Sequence, residues 1–179
     1  MAIGPGDVEL TMDELRVVAR GAVEAAQEVL PLFEQARPGD ARPRAAIDAA
    51  RAFADGAGRT RLQRVAATGA HRAAADVGDG AARYAARAAA DAAAAAYLHP
   101  LARATQVGHI LGAAANAARA AELEAGDDPA VGEAVIERAR LRATPVLVDV
   151  LGRYPHAPAG RSRVAQLMQA LDAALRRSP

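Results

Sequence analysis

The chain contains no cysteine, no tryptophan and no lysine, and only two serines, Ser162 and Ser178. Without cysteine there are no disulfides, thiol nucleophiles or thiolate zinc sites. Without lysine there is no Walker A loop, no Schiff-base amine and no pyridoxal-type chemistry. Aromatics are scarce as well: Phe33, Phe53, Tyr84, Tyr97 and Tyr154 are too dispersed to form a base-stacking platform. Charge of one sign is also missing. The 22 basic residues, all arginine, face 21 acidic ones, for a net charge of +1. They are interleaved along the chain, so no long-range field draws in a phosphate backbone, and nucleic acid is not an expected partner. The longest apolar run, residues 92–98, falls far short of the roughly 20 needed to cross a bilayer. Residues 1–15 carry Asp7, Glu9, Asp13 and Glu14 with no basic start, unlike a signal peptide. The expectation is a cytoplasmic protein with no membrane partner, no cofactor and no bound metal.

What is present is alanine. The 179 residues are 52% hydrophobic, yet 52 of them are alanines, which bury little area each. A core must therefore come from close helix contacts with scattered Leu, Val and Ile between them. Glycine and proline divide the chain into about seven helical segments. Thr11 can cap the first, with Glu14 completing a capping box, and Pro31 should kink or end it near Leu30. A loop over residues 37–40 leads to Pro43 at the start of a second helix, which stops near Gly56. A third segment spans roughly 59–76 and a fourth, nearly pure alanine, 81–98. His99-Pro100 breaks the latter, and a fifth runs from about 100 to 125. Asp128 and Pro129 open a sixth, which Pro145 should bend. A loop over residues 155–160 precedes a last amphipathic helix capped by Ser162. No window alternates like a strand. The predicted fold is all-α: one compact, alanine-rich helical bundle over 1–179, without a sheet and with the fourth helix central.

Four polar side chains stand out on the predicted fifth helix. His99, Gln106, His109 and Asn116 fall within an arc of roughly 100° at helical spacing, a candidate recognition stripe. The competing reading is that they satisfy backbone groups or face water. The two histidines lie nearly three turns, or ~15 Å, apart, too far to share a metal ion. Arg83, Arg87 and Asp91 step along the fourth helix, and on a buried helix such a row needs internal partners such as His71 or His109. Arg42 and Arg44 at a helix N-terminus could contact an anion, although an ordinary solvated cap competes. No Ser-His-Asp set, HExxH, GxGxxG or EF-hand loop occurs, so nothing nominates catalytic residues.

Several stretches resemble the Imm-five-like immunity proteins, helical bacterial proteins associated with polymorphic toxin systems. They are Leu30-Pro31-Leu32-Phe33-Glu34, Arg42-Pro43-Arg44-Ala45-Ala46-Ile47-Asp48-Ala49-Ala50, Ala70-His71-Arg72-Ala73-Ala74, Ala96-Tyr97-Leu98-His99-Pro100-Leu101 and His109-Ile110-Leu111-Gly112-Ala113-Ala114. The resemblance covers about 10–125, with two C-terminal helices, 128–177, packed on that region. It implies a non-enzymatic protein whose partner is a cognate protein toxin, neutralised by occlusion. Two other readings remain: a small-molecule-binding or resistance protein with a pocket between helices, and a metal-free helical enzyme. An enclosed pocket lined by His71, Asp91 and His109 would favour these.

Overall fold

Thr11 and Glu14 begin the first helix by the reciprocal bonds their spacing predicts. The Thr11 hydroxyl accepts from the Glu14 N–H, and the Glu14 carboxylate accepts from the Thr11 N–H at 2.7 Å. The computed structural model describes residues 7–177. The first six residues of the stretch weighed as a leader, and Ser178, lie outside them. Helix α1 (Met12–Ala36) continues through Pro31, so it does not end near Leu30. Proline removes one N–H, but Val29, Leu30 and Phe33 are all buried around it, and their packing holds the helical path.

Helices α2 (Arg42–Ala54), α3 (Arg61–Asp76) and α4 (Ala81–Ala94) follow. Pro43 sits in the first turn of α2 as predicted. Thr60 and Gln63 form a second capping box on α3, and the buried Gln63 also donates to the Ala49 carbonyl on α2. In α4, Ala85, Ala86, Ala88, Ala89, Ala90, Ala92 and Ala93 are all fully buried. Burial on so many sides means that α4 is the central rod, in contact with α1, α2, α3 and α5. Methyl side chains let those neighbours approach closely, so small residues substitute for bulk in this core.

Beyond α4 a 3₁₀ turn (Ala95–Tyr97) leads into an irregular link, and a second (Ala104–Gln106) leads into α5 (Val107–Glu124). This corrects the fifth segment predicted from residue 100. Residues 100 and 101 are held outside any helix: the Val8 N–H donates to the Pro100 carbonyl, and Asp7 and Leu101 form an isolated antiparallel bridge. Helices α6 (Pro129–Arg142), α7 (Pro145–Gly152) and α8 (Arg163–Arg177) complete the chain. Among the described residues there are eight α-helices rather than seven, because Pro145 divides the sixth segment instead of bending it, with Thr144 as a fresh cap. No strand occurs among them. Helices α6 and α8 pack on α5 and on each other, and α7 bridges α1 and α8.

Two buried carboxylates bind these outer helices to the rest. Glu122 on α5, 1% exposed, takes both Arg119 and Arg163, the latter at 2.6 Å from α8. Gly132 of α6 lies directly over it, and a Cβ there would sit 2.1 Å from its Oε1. Asp172 on α8 accepts from Arg176 at 2.7 Å and from the Ala157 N–H, and lies 3.0 Å from the His156 ring. Arg176 in turn donates to the Leu151, Tyr154 and Pro155 carbonyls, closing the 155–160 loop over the end of α7.

Candidate functional site

The seam between α4 and α5 holds a small polar cluster. On α5, His109, Gly112 and Asn116 share one face, and on α4 Arg87, Asp91 and Ala94 lie opposite. Asp91 fits because residue 112 is glycine: a Cβ there would stand 2.8 Å from its Oδ2. The Asn116 amide donates to that oxygen at 2.8 Å and to the Gly112 carbonyl at 3.1 Å. Since a carbonyl can only accept, the amide nitrogen must face inward. The Asn116 Oδ1 points the other way, is buried, and has no hydrogen-bond partner. Burial raises the Asp91 pKa to about 7 despite the Asn116 bond and the nearby Arg87 charge, both of which favour the carboxylate.

Beside this pair the seam opens into a cleft of about 360 Å³. Its walls are His71 from α3, Tyr84, Arg87 and Asp91 from α4, Asn116 from α5, and Ser162 and Val164 at the start of α8. The Arg87 guanidinium lies 5.5 Å from the centre of the Tyr84 ring and, among the described residues, makes no ion pair. It does not clasp Asp91 as the four-residue spacing allowed. Desolvation, reinforced by the Arg87 charge, lowers the His71 pKa and so favours the neutral ring. Ser162 caps α8, accepting from the Ala165 N–H at 3.2 Å.

The residues nominated from sequence therefore scatter. His71 and Asp91 meet in the cleft, and Asn116 joins them. His109 does not line it. Its half-buried ring faces the Ala94 carbonyl, and burial holds its pKa below the usual value. His99 is exposed and precedes α5, and Gln106 spends its carbonyl on the His99 N–H at 2.9 Å. The four do not share one helix, because α5 begins at Val107. Arg42 is taken by Asp40 at 2.5 Å and Asp76 at 2.8 Å, and Arg44 by Glu34 at 2.6 Å, so neither guanidinium is free for an anion. Arg87 and Tyr84 were absent from the nominated site. A cation one turn from a carboxylate reads as a surface pair until the fold shows that the two do not close on each other.

A different surface lies beside the cleft on the outer side of α3. Leu62 and Val65 are 58% and 54% exposed, and Arg59, Arg61, Arg64 and Arg72 flank them, also exposed. Among the described residues none of these arginines forms an ion pair. Arg59 and Arg64 instead lie 5.6 and 4.7 Å from the centre of the Tyr97 ring, whose hydroxyl donates to the Thr60 carbonyl at 2.6 Å. This ties the 97–99 turn, with exposed His99, to the start of α3.

Comparison with protein families places residues 9–144, from just before α1 to the end of α6, in the Imm-5 like putative immunity protein family. The chain belongs to this family. The match extends past the 10–125 region marked out by sequence motifs and takes in α6. Comparisons with curated proteins and with solved structures return no match. Among the described residues no group of three or more His, Asp or Glu side chains is placed to hold a metal ion. Among the described residues no helix is long and apolar enough to cross a membrane.

Proposed function

We propose that this chain is a stoichiometric binder that neutralises a cognate bacterial toxin by covering its active site or substrate groove. Membership of the immunity family over residues 9–144 carries this reading. Occlusion demands a surface that keeps its shape, and an alanine-packed bundle with buried ionic anchors at Glu122 and Asp172 is suited to that demand. The contact face we infer is the outer side of α3 with the 97–99 turn. Leu62 and Val65 supply apolar contact there, and unpaired arginines beside Tyr97 supply anchors of the types that dominate interfaces. His99 belongs to this face. Gln106, His109 and Asn116 act behind it, the first by bracing the His99 backbone. A partner fitting this face presents an acidic patch and buries roughly 1,200–2,000 Å² in total.

The test is protection of cells expressing a candidate toxin encoded beside this gene. The intact chain should restore growth. R61E and R64E together should abolish protection while the melting temperature stays put, since exposed substitutions usually move stability by no more than about 0.5 kcal/mol. Growth arrest despite abundant folded intact chain would overturn the reading. Protection that survives the charge reversals would move the face elsewhere.

A further inference from the structure

We propose that the cleft between α3, α4, α5 and the start of α8 is a small-molecule site for a zwitterion that carries an ammonium beside a carboxylate, an α-amino acid being the simplest. The argument starts from what the cleft leaves unmatched. Asn116 is 7% exposed, and its Oδ1 is a buried acceptor with no donor. An orphan of this kind costs free energy unless something donates to it. The alternative of turning the amide over is closed, because its nitrogen already serves Asp91 and the Gly112 carbonyl.

Two residues lining the cleft therefore bring acceptors, the unmatched Asn116 Oδ1 and the Asp91 carboxylate that the same amide joins to it. Glycine at 112 leaves the Asp91 carboxylate the space it occupies. An ammonium group, with three N–H donors and one charge, answers both. One turn away on the same helix stands the opposite need. Arg87 offers a guanidinium without an ion-pair partner, held beside the Tyr84 ring. A planar fork of donors is matched by a carboxylate. The exposed His71 ring and the Ser162 side chain stand at the same cleft and can add a donor to that group. Tyr84 and Val164 provide an apolar wall for the remainder of the ligand, and about 360 Å³ is room enough for a molecule of this size. A simple anion would leave Asn116 unsatisfied, and a simple cation would sit against Arg87. Only a ligand with both groups satisfies both ends.

This site does not depend on the toxin reading, and its failure leaves that reading untouched. The probes are L-leucine, 4-methylpentanoate, which lacks the amino group, and 3-methylbutylamine, which lacks the carboxylate. Each is titrated into the intact chain while the Asn116 side-chain amide and His71 ring resonances are followed. Leucine should shift both saturably, and each one-group analogue should bind at least tenfold more weakly. R87Q, a substitution at a partly exposed position, should weaken leucine at least tenfold with the helical spectrum and melting temperature unchanged. N116A should do the same, and its circular dichroism reports separately whether it folds. Equal binding of 4-methylpentanoate and leucine would overturn the proposal in favour of an anion subsite. Equal binding of the amine would overturn it in favour of a cation subsite. No saturation with any probe, or undiminished binding by folded R87Q, would overturn it outright.

Discussion

Asp91 is the residue whose environment is most at odds with its chemistry. Folding raises its pKa from 3.8 to about 7, so between those values the folded protein keeps a proton that the unfolded chain releases. Its contribution to stability is fully present below about 3.8 and is lost as pH rises through about 7. Arg87 is the charge that acts on it and Asn116 donates to its Oδ2, while His71, Tyr84 and Ser162 line the same cleft. D91N removes the titration and keeps an oxygen to accept from Asn116. We expect it to raise stability by on the order of 1–3 kcal/mol at pH 8 and by little at pH 4. Thermal unfolding at the two pH values checks this, and an equal effect at both would contradict it. Gly132 makes a second prediction at this scale. Alanine is normally the better helix former by about 1 kcal/mol. At position 132, however, its methyl would meet the Glu122 carboxylate, which Arg119 and Arg163 hold in place. G132A should destabilise by about 1–3 kcal/mol, measured by denaturant unfolding. The four stripe residues should likewise behave as individuals. H99A should be silent in folding, while H109A should cost about 1–3 kcal/mol by leaving the Ala94 carbonyl without its donor.

At the scale of elements, helix starts were legible wherever the signal is local. Thr11 with Glu14, Pro43, Asp128 with Pro129, and Ser162 all lie where a cap or first-turn proline predicts. The Thr60–Gln63 box that starts α3 is an equally local signal. The start of α5 was not legible, because Pro100 could serve as a first helical residue and only its pairing with Val8, far away in sequence, decides otherwise. Arg42 and Arg44 were misleading for the same reason, since Asp76 and Glu34 become their partners only once the helices are docked. The cleft was half legible. His71 and Asp91 could be suspected from a charged row on a buried helix, whereas the orphaned oxygen of Asn116 exists only in three dimensions. Pro31 is the helix-scale test. It is exposed, and α1 continues past it, so P31A restores a backbone donor and should stabilise the fold by about 1–3 kcal/mol. A loss of stability would show that the proline shapes α1.

For the whole molecule, the central rod and its alanine neighbours make a body in which small residues, not large ones, set the spacing. Its outer elements are fastened by ions. Arg153 joins the end of α7 to Glu14 at 2.5 Å and to the Glu9 carbonyl at 2.7 Å. The same arginine and the Thr11 cap hold the Glu14 pKa down to about 2. Stability from this carboxylate is therefore present above about 4.5 and lost as pH falls through about 2. Such a frame offers a fixed surface to a partner. On the function proposed above, the chain acts by binding. Calorimetric titration of the intact chain with a candidate toxin encoded beside its gene decides whether it does. The expected result is a saturable one-to-one complex whose formation abolishes the toxin's activity in the same tube. A toxin that stays fully active in the presence of excess folded chain, with no heat of binding, would contradict it.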